Sequence, residues 1–187
     1  MRVVAGEFGG RRLSAVPGMA TRPTTDKVKE ALFNVIGPYF DGGQSLDLFG
    51  GSGGLSIEAV SRGIDMAVLV DRQYQAVKTI KKNIATTRHT AQFKVYKMDA
   101  HKALKLLGKK GQVFNLVFLD PPYAKQQIVK DMSLMVENDL LAEGAVIVAE
   151  TNQEAKLPDQ DWDHFKFCKR QSYGITVLTI YQYEKEQ

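Results

Sequence analysis

Cysteine is almost absent: Cys168 stands alone among 187 residues. A single thiol excludes an internal disulfide framework and any cysteine-rich zinc site. Long hydrophobic runs are missing too. Nothing approaches the ~18 consecutive apolar residues of a membrane span. The opening Met1-Arg-Val-Val-Ala-Gly-Glu-Phe-Gly-Gly breaks into glycine and charge too early for a secretory signal. There is no internal repeat and no low-complexity tract. His89, His101 and His164 are scattered without metal-ligand spacing, so no metal is expected. What remains is a globular mix, 44% hydrophobic and 25% charged, which argues against a disordered or collagen-like chain. The length suits one domain, or one domain with a small appendage. The expectation is a cytoplasmic enzyme or binding protein, monomeric by default.

The formal charge is +4 and the sequence pI about 9.1, a mild tilt towards a polyanionic partner. Arg2, Arg11, Arg12, Arg22, Lys27 and Lys29 crowd the first thirty residues. Lys78, Lys81, Lys82 and Arg88 form a second group, which reads as the solvated face of a helix.

Two short strands of a hairpin-like extension are expected at Val3-Val4-Ala5 and Leu13 to Val16. A helix should start after Thr24-Thr25, with Val28, Ala31, Leu32, Val35, Ile36, Tyr39 and Phe40 as its apolar stripe. Gly37-Pro38 ends or kinks it, since proline offers no N–H to the ladder. From residue 45 strands and helices alternate. Strands are expected at Ser45–Phe49, Met66–Val70, Phe93–Met98, Phe114–Leu119 and Ala145–Ala149. Alternation of this kind means βαβ units with right-handed crossovers and a parallel, doubly wound α/β sheet. Phe165–Lys169 and Ile175–Tyr183 have no helix between them and should form an antiparallel hairpin through Ser172-Tyr173-Gly174. A dehydrogenase domain would instead continue with βα units.

Ligands of open α/β sheets bind beyond the carboxyl ends of the strands. Here those ends carry Asp71, Asp99, Asp120 and Glu150, and the first strand carries Asp47. That strand leads into Phe49-Gly50-Gly51-Ser52-Gly53-Gly54. Successive glycines let backbone N–H groups approach a ligand at a helix start. The strict G-x-G-x-x-G pattern fails, with Ser56 where the third glycine belongs. Asp71 follows Gly51 by 20 residues, the distance at which a carboxylate takes a ribose diol. A ribose-containing ligand is favoured, its identity open on these grounds. The sharpest motif is Asp120-Pro121-Pro122-Tyr123. Two prolines fix φ twice and remove two donors, and the first biases Asp120 to an extended conformation. Such a corner suits a planar group with an exocyclic amine: Tyr123 stacks while Asp120 and the Pro121 carbonyl accept two N–H bonds.

Taken together, these stretches resemble the RsmD family, class I S-adenosylmethionine-dependent methyltransferases of small-subunit ribosomal RNA guanine-N2. The matching segments are Arg22-Pro-Thr-Thr-Asp-Lys-Val-Lys-Glu, Leu46-Asp-Leu-Phe-Gly-Gly-Ser-Gly-Gly-Leu, Glu58-Ala-Val-Ser-Arg-Gly, Asp120-Pro-Pro-Tyr and Tyr173-Gly-Ile-Thr. Gly50 departs from the family's usual alanine, and Tyr123 stands where phenylalanine is frequent. The resemblance implies a seven-stranded, mostly parallel sheet in the order 3-2-1-4-5-7-6. It implies S-adenosylmethionine as cofactor, held by Arg22, Thr24, Asp47, Phe49, Gly51, Gly53, Asp71, Arg72, Asp99, Ala100 and Asp120. Asp120, Pro121 and Tyr123 would be catalytic, holding the target base. Arg11, Arg12 and Arg22 would contact RNA, Arg22 being a candidate for either ligand. The partner would be 16S rRNA in an assembled or assembling small subunit. Residues 1–23 would form an RNA-contacting β-hairpin extension and 24–187 the methyltransferase domain.

Residue chemistry alone leaves other readings open. The Asp-Pro-Pro-Tyr corner also serves adenine N6 in DNA or a protein glutamine, and an inactive RNA-binding relative is the non-enzymatic alternative. Carbon-5 pyrimidine methylation needs a cysteine nucleophile, whereas Cys168 reads as a structural residue of the terminal hairpin. His101 reads as a loop histidine.

Overall fold

The computed structural model describes residues 1–18 and 25–186. Its elements run α1 (Asp26–Ile36), β1 (Gln44–Asp47), α2 (Gly54–Ser61), β2 (Met66–Asp71), α3 (Tyr74–Thr87), β3 (Phe93–Lys97), α4 (Ala100–Lys109), β4 (Phe114–Leu119), α5 (Ile128–Glu137), β5 (Leu141–Thr151), β6 (Phe165–Tyr173) and β7 (Thr176–Tyr183). The seven strands form one sheet in the order β3-β2-β1-β4-β5-β7-β6. Strands β1–β2, β2–β3 and β4–β5 pair in parallel, and β5–β7 and β6–β7 antiparallel. Ala67–Val70 and Leu116–Leu119 are buried apolar runs, as parallel strands covered on both faces require. Among the described residues no helix is long and apolar enough to cross a membrane. Two compact units are present, Met1–Ala100 and His101–Gln187.

In the first unit Thr25 caps α1, its hydroxyl accepting the Val28 N–H at 3.3 Å. The helix stops at Ile36, so Tyr39 is exposed, and so is Val35. The expected stripe is therefore rotated: the buried face is Lys29, Leu32 and Phe33. A lysine lies on it because Glu58, fully buried on α2, faces it at 3.4 Å. Glu58 also takes the Arg62 Nε at 2.8 Å and the backbone N–H groups of Val4 and Ala5 at 2.8 and 3.1 Å. Lys29 Nζ donates to the Arg2 carbonyl at 2.8 Å, and Arg62 lies over the Phe33 ring. The amino-terminal segment is thus pinned to α2 through a buried charge cluster. Ser61 continues the seam, its hydroxyl donating to the Ala5 carbonyl and accepting the Phe8 N–H. Gly6 sits so close that a Cβ would fall 2.0 Å from the Ser61 carbonyl oxygen. Of the two strands expected here an antiparallel bridge forms, Arg2 with Arg12, with the Val3 N–H on the Arg11 carbonyl, the Gly10 N–H on the Val3 carbonyl and the Leu13 N–H on the Met1 carbonyl; the pairing goes no further because the Val4, Ala5 and Glu7 N–H groups turn to α2.

In the second unit β5 begins four residues earlier than expected, at Leu141. Its register against β4 shifts between Phe114 and Leu116, with Gly144 at φ +78°; the polar bulge Ala142-Glu143-Gly144 hides the strand's start in the sequence. On β6 the register against β7 shifts between Phe167 and Lys169, so Cys168 is the bulge residue. It lies in the terminal hairpin as expected, with its thiol exposed. The hairpin turn is Gly174-Ile175, one step beyond expectation, with Tyr173 opposite Thr176.

Tyr181 is the largest fully buried side chain. Its hydroxyl donates to the Pro158 carbonyl at 2.6 Å, and Arg170 donates to the Leu157 and Pro158 carbonyls and to the Thr179 hydroxyl. Burial pushes the Tyr181 phenol up to about 12, against an opposing pull from Arg170. A phenol raised in the folded state favours folding while protonated, so its contribution is full below pH 10 and is lost as pH rises from 10 to about 12. Tyr181→Phe should flatten that part of the stability curve, measured by urea titration at stepped alkaline pH.

Candidate active site

Two groups of residues at strand ends carry the chemistry. The first belongs to the first unit. After β1, Gly51 (φ +58°) and Gly53 (φ +83°) adopt left-handed backbone that side chains resist. Gly50 N–H bonds the Val70 carbonyl at 2.7 Å and Gly53 N–H bonds Gly50 at 2.8 Å. Asp71, ending β2, receives the Gly51 N–H at 3.0 Å and the Gln73 N–H at 2.9 Å. A Cβ built on Gly51 would meet nothing nearer than the Phe49 carbonyl, 4.0 Å away, so the loop faces open space. The first turn of α2 has no side-chain cap, leaving its N–H groups for a ligand. Asp47 is buried and accepts the Ser56 hydroxyl at 3.4 Å. Ser56 therefore uses the third-glycine position to hold that carboxylate. Asp99 is exposed just before α4, where Ala100 is the first residue. Phe49 is half-buried and Arg72 exposed. At Gly50 a Cβ would come within 2.9 Å of Ile80 Cδ1, the flexible end of a side chain, so an alanine there would need only that end to shift.

The second group belongs to the second unit. After β4, Pro121 is buried and Pro122 takes φ −53°, ψ 131°. Tyr123 opens a 3-10 turn ending at Lys125. Burial pushes its phenol pKa up, the Glu150 and Asp120 carboxylates push the same way, and a hydrogen bond with the Thr176 side chain opposes them. The phenol therefore stays neutral through physiological pH, its ring presented on a stiff turn. Glu150, buried at the end of β5, stands opposite Leu178 of β7.

The expected residues Asp47, Phe49, Gly51, Gly53, Asp71, Arg72, Asp99 and Ala100 all fall in the first unit, and Asp120, Pro121 and Tyr123 in the second. Arg22 and Thr24 lie outside the described residues. Arg12 is exposed, whereas Arg11 donates to the Thr86 and Thr87 carbonyls at the end of α3 and lies over the Phe8 ring. His101 is not in a loop: it lies in the first turn of α4, with Nε2 2.8 Å from the buried Asp131 carboxylate. Asn83 was missed. Its amide bonds the Ser14 N–H, the Ser14 carbonyl and the Ser52 carbonyl at 2.8, 2.9 and 2.8 Å, tying the glycine loop to the amino-terminal segment. Its only sequence signal is a polar residue on the buried stripe of α3. In the sequence Thr176 stands out only as the last residue of Tyr173-Gly-Ile-Thr, and Glu150 only as a strand end.

A sheet of this order, with a glycine loop after β1 and a carboxylate ending β2, defines a class I S-adenosylmethionine-dependent methyltransferase. Residues 1–182 match the family described as Conserved hypothetical protein 95. The chain belongs to this, the RsmD family. YlbH of Bacillus subtilis is 47% identical over 182 residues, covering 97% of this chain and 98% of YlbH. Ribosomal RNA small subunit methyltransferase D of Escherichia coli K12 is 35% identical over 186 residues, 100% of this chain and 91% of that one. The solved structure of Escherichia coli YhhF superposes with a TM-score of 0.84 at 32% identity, covering 100% and 99% of the two chains. The first group fits the class's cofactor: open space over Gly51, uncapped amides on α2, and an Asp71 carboxylate with acceptor capacity beyond its two backbone bonds.

Proposed function

We propose that this enzyme methylates the exocyclic N2 of a guanine in small-subunit ribosomal RNA, a reaction of the guanine 966 type. The observation that supports transfer to a planar exocyclic amine is the corner after β4, where a rigid Asp-Pro-Pro turn precedes a neutral, half-buried Tyr123 held by Thr176; the guanine is what the family resemblance implies. The ribosomal substrate is supported by the name of the Escherichia coli relative. In this reading Asp47 and the backbone of Gly51 to Gly53 hold the methionine part of the cofactor, with Phe49 and Arg72 beside it. Asp71 takes the ribose hydroxyls, Asp99 and Ala100 the adenine, and Arg22 and Thr24 close over the ligand.

When bound, S-adenosylmethionine supplies a methyl group already activated on a sulfonium. The chain's own task is therefore positioning. Guanine N2 is a poor nucleophile because its lone pair is delocalised into the ring. Asp120 and the Pro121 carbonyl accept its two N–H bonds, favour a pyramidal nitrogen and stabilise the positive charge that develops there. Asp120 then receives the departing proton, directly or through water. Tyr123 stacks on the base, offsetting part of the few kcal/mol needed to take it out of a stack. Arg12, exposed, contacts RNA phosphates, and Arg11, whose guanidinium donates to the Thr86 and Thr87 carbonyls, anchors the segment that carries it. The substrate is the particle, assembled or assembling, since a chain of 187 residues has little surface for reading sequence. The enzyme works as a cytoplasmic monomer.

The test is transfer of labelled methyl groups to small subunits lacking the modification, followed by nucleoside mass analysis. The expected product is N2-methylguanosine. Label in N6-methyladenosine, or in protein alone, would overturn the assignment.

A further inference from the structure

The chain's positive charge is not evenly spread. From Arg72 to Met98 there are seven lysines and arginines and not one aspartate or glutamate. Without that stretch 18 basic residues face 21 acidic ones, so the whole positive excess resides in it. All seven basic residues are exposed. Among the described residues none of them forms an ion pair, whereas the first unit's Lys29 and Arg62 do. Lys78, Lys81 and Lys82 lie on one face of α3 at i, i+3 and i+4, where like charges repel and weaken a helix. An ordinary solvated face mixes signs; this one stores repulsion that a bound polyanion would relieve.

We infer that the outer face of α3 is a second RNA-binding tract that grips phosphates alongside the amino-terminal segment; Lys94 and Lys97 of the neighbouring strand β3 stand three apart, on opposite faces of the sheet, and lie outside it. Arg11 caps the carboxyl end of α3 through the Thr86 and Thr87 carbonyls, so the segment bearing the exposed Arg12 joins the helix near Arg88. From there Lys82, Lys81 and Lys78 lead along the helix to Tyr74, a run of ~20 Å. Tyr74 is 64% exposed. An aromatic ring beside a row of lysines combines stacking with backbone attraction, the grammar of unpaired RNA. An acidic membrane surface is disfavoured because Val77, Ile80 and Ile84 of α3 are buried in the core, leaving no apolar face to insert. On β3, which pairs only with β2, the two lysines guard an open edge; that role explains them but not the three on the helix. The inference rests on RNA being the substrate, and not on which base is modified.

The experiment uses full-length protein and unmethylated small-subunit ribosomal RNA transcribed in vitro. Binding is measured across salt for the wild type and for Lys78→Gln with Lys81→Gln and Lys82→Gln. A control carries Lys166→Gln, Lys169→Gln and Lys185→Gln, all exposed in the second unit. Losing three phosphate contacts should flatten the log–log salt dependence by about 2 and weaken low-salt affinity at least tenfold. The control should keep nearly the wild-type slope. Lysine-to-arginine changes at 78, 81 and 82 should also keep it, separating charge from helix damage. Tyr74→Ala should weaken binding about tenfold with the slope unchanged. Calorimetry with S-adenosylhomocysteine should show intact cofactor binding throughout. Equal slopes for the α3 triple and the wild type, or equal losses in the α3 and control triples, overturn the tract. A wild type that transfers no methyl to guanine in unmethylated small subunits, while the α3 triple still loses slope on the RNA, overturns the guanine reading and supports the tract.

Discussion

Asp120→Ala is expected to lower kcat by about 10²–10³-fold, the cost of removing one preorganised group that stabilises developing charge. The Asp120 carboxylate stands near the Tyr123 phenol, whose pKa it helps to raise. It is followed by a buried proline, which fixes the turn that presents it. Asp120→Asn keeps one acceptor oxygen and loses the charge, and should fall between alanine and the wild type. The change should appear in kcat more than in KM, because the interaction strengthens as the amine becomes cationic. S-adenosylhomocysteine affinity, read by calorimetry on the same samples, should be nearly unchanged. An undiminished turnover in Asp120→Ala would remove the corner from the mechanism.

Glu58→Ala is expected to cost about 3–5 kcal/mol of folding stability, the usual penalty for stranding a buried charge. Glu58 is fully buried, and the Lys29 and Arg62 side chains facing it are almost as hidden. Removing the carboxylate would also leave the Val4 and Ala5 N–H groups without their acceptor. A domain of ordinary stability has about 5–15 kcal/mol in total, so the variant should show a much lower urea midpoint. Adding Lys29→Met should restore part of the loss, since it removes one of the two stranded cations. A loss below about 1 kcal/mol would mean that the cluster behaves as surface ion pairs do.

Much of the fold is legible in local pattern. The strand order was implied by the resemblance and is the one observed. The glycine loop after β1 and the carboxylate closing β2 are legible from spacing, whereas the bond from the Gly51 N–H to Asp71 is seen only in the fold. What escaped depends on partners far apart in the chain. Lys29 reads as one more basic residue until Glu58 is seen opposite it. Arg11 reads as a free arginine, yet it spends its guanidinium on carbonyls 75 and 76 positions away. Asn83 looks like a polar defect in an apolar stripe, and only the folded chain shows it stapling Ser14 to Ser52. The stripe of α1 lies elsewhere for the same reason, because periodicity counts hydrophobic residues and cannot foresee a lysine buried against a carboxylate. Bulges in β5 and β6 shifted strand limits where an extra residue breaks the alternation.

The hexapeptide Glu58-Ala-Val-Ser-Arg-Gly shows where such hidden partners lead. Glu58, Ser61 and Arg62 are committed to the docked amino terminus and to α1, and a Cβ on Gly63 would fall 2.0 Å from the Phe40 carbonyl oxygen. Under selection for activity, a saturation library should find these sites about as intransigent as the reaction centre. A tolerance map drawn without coordinates would mistake a hinge pin for an engine.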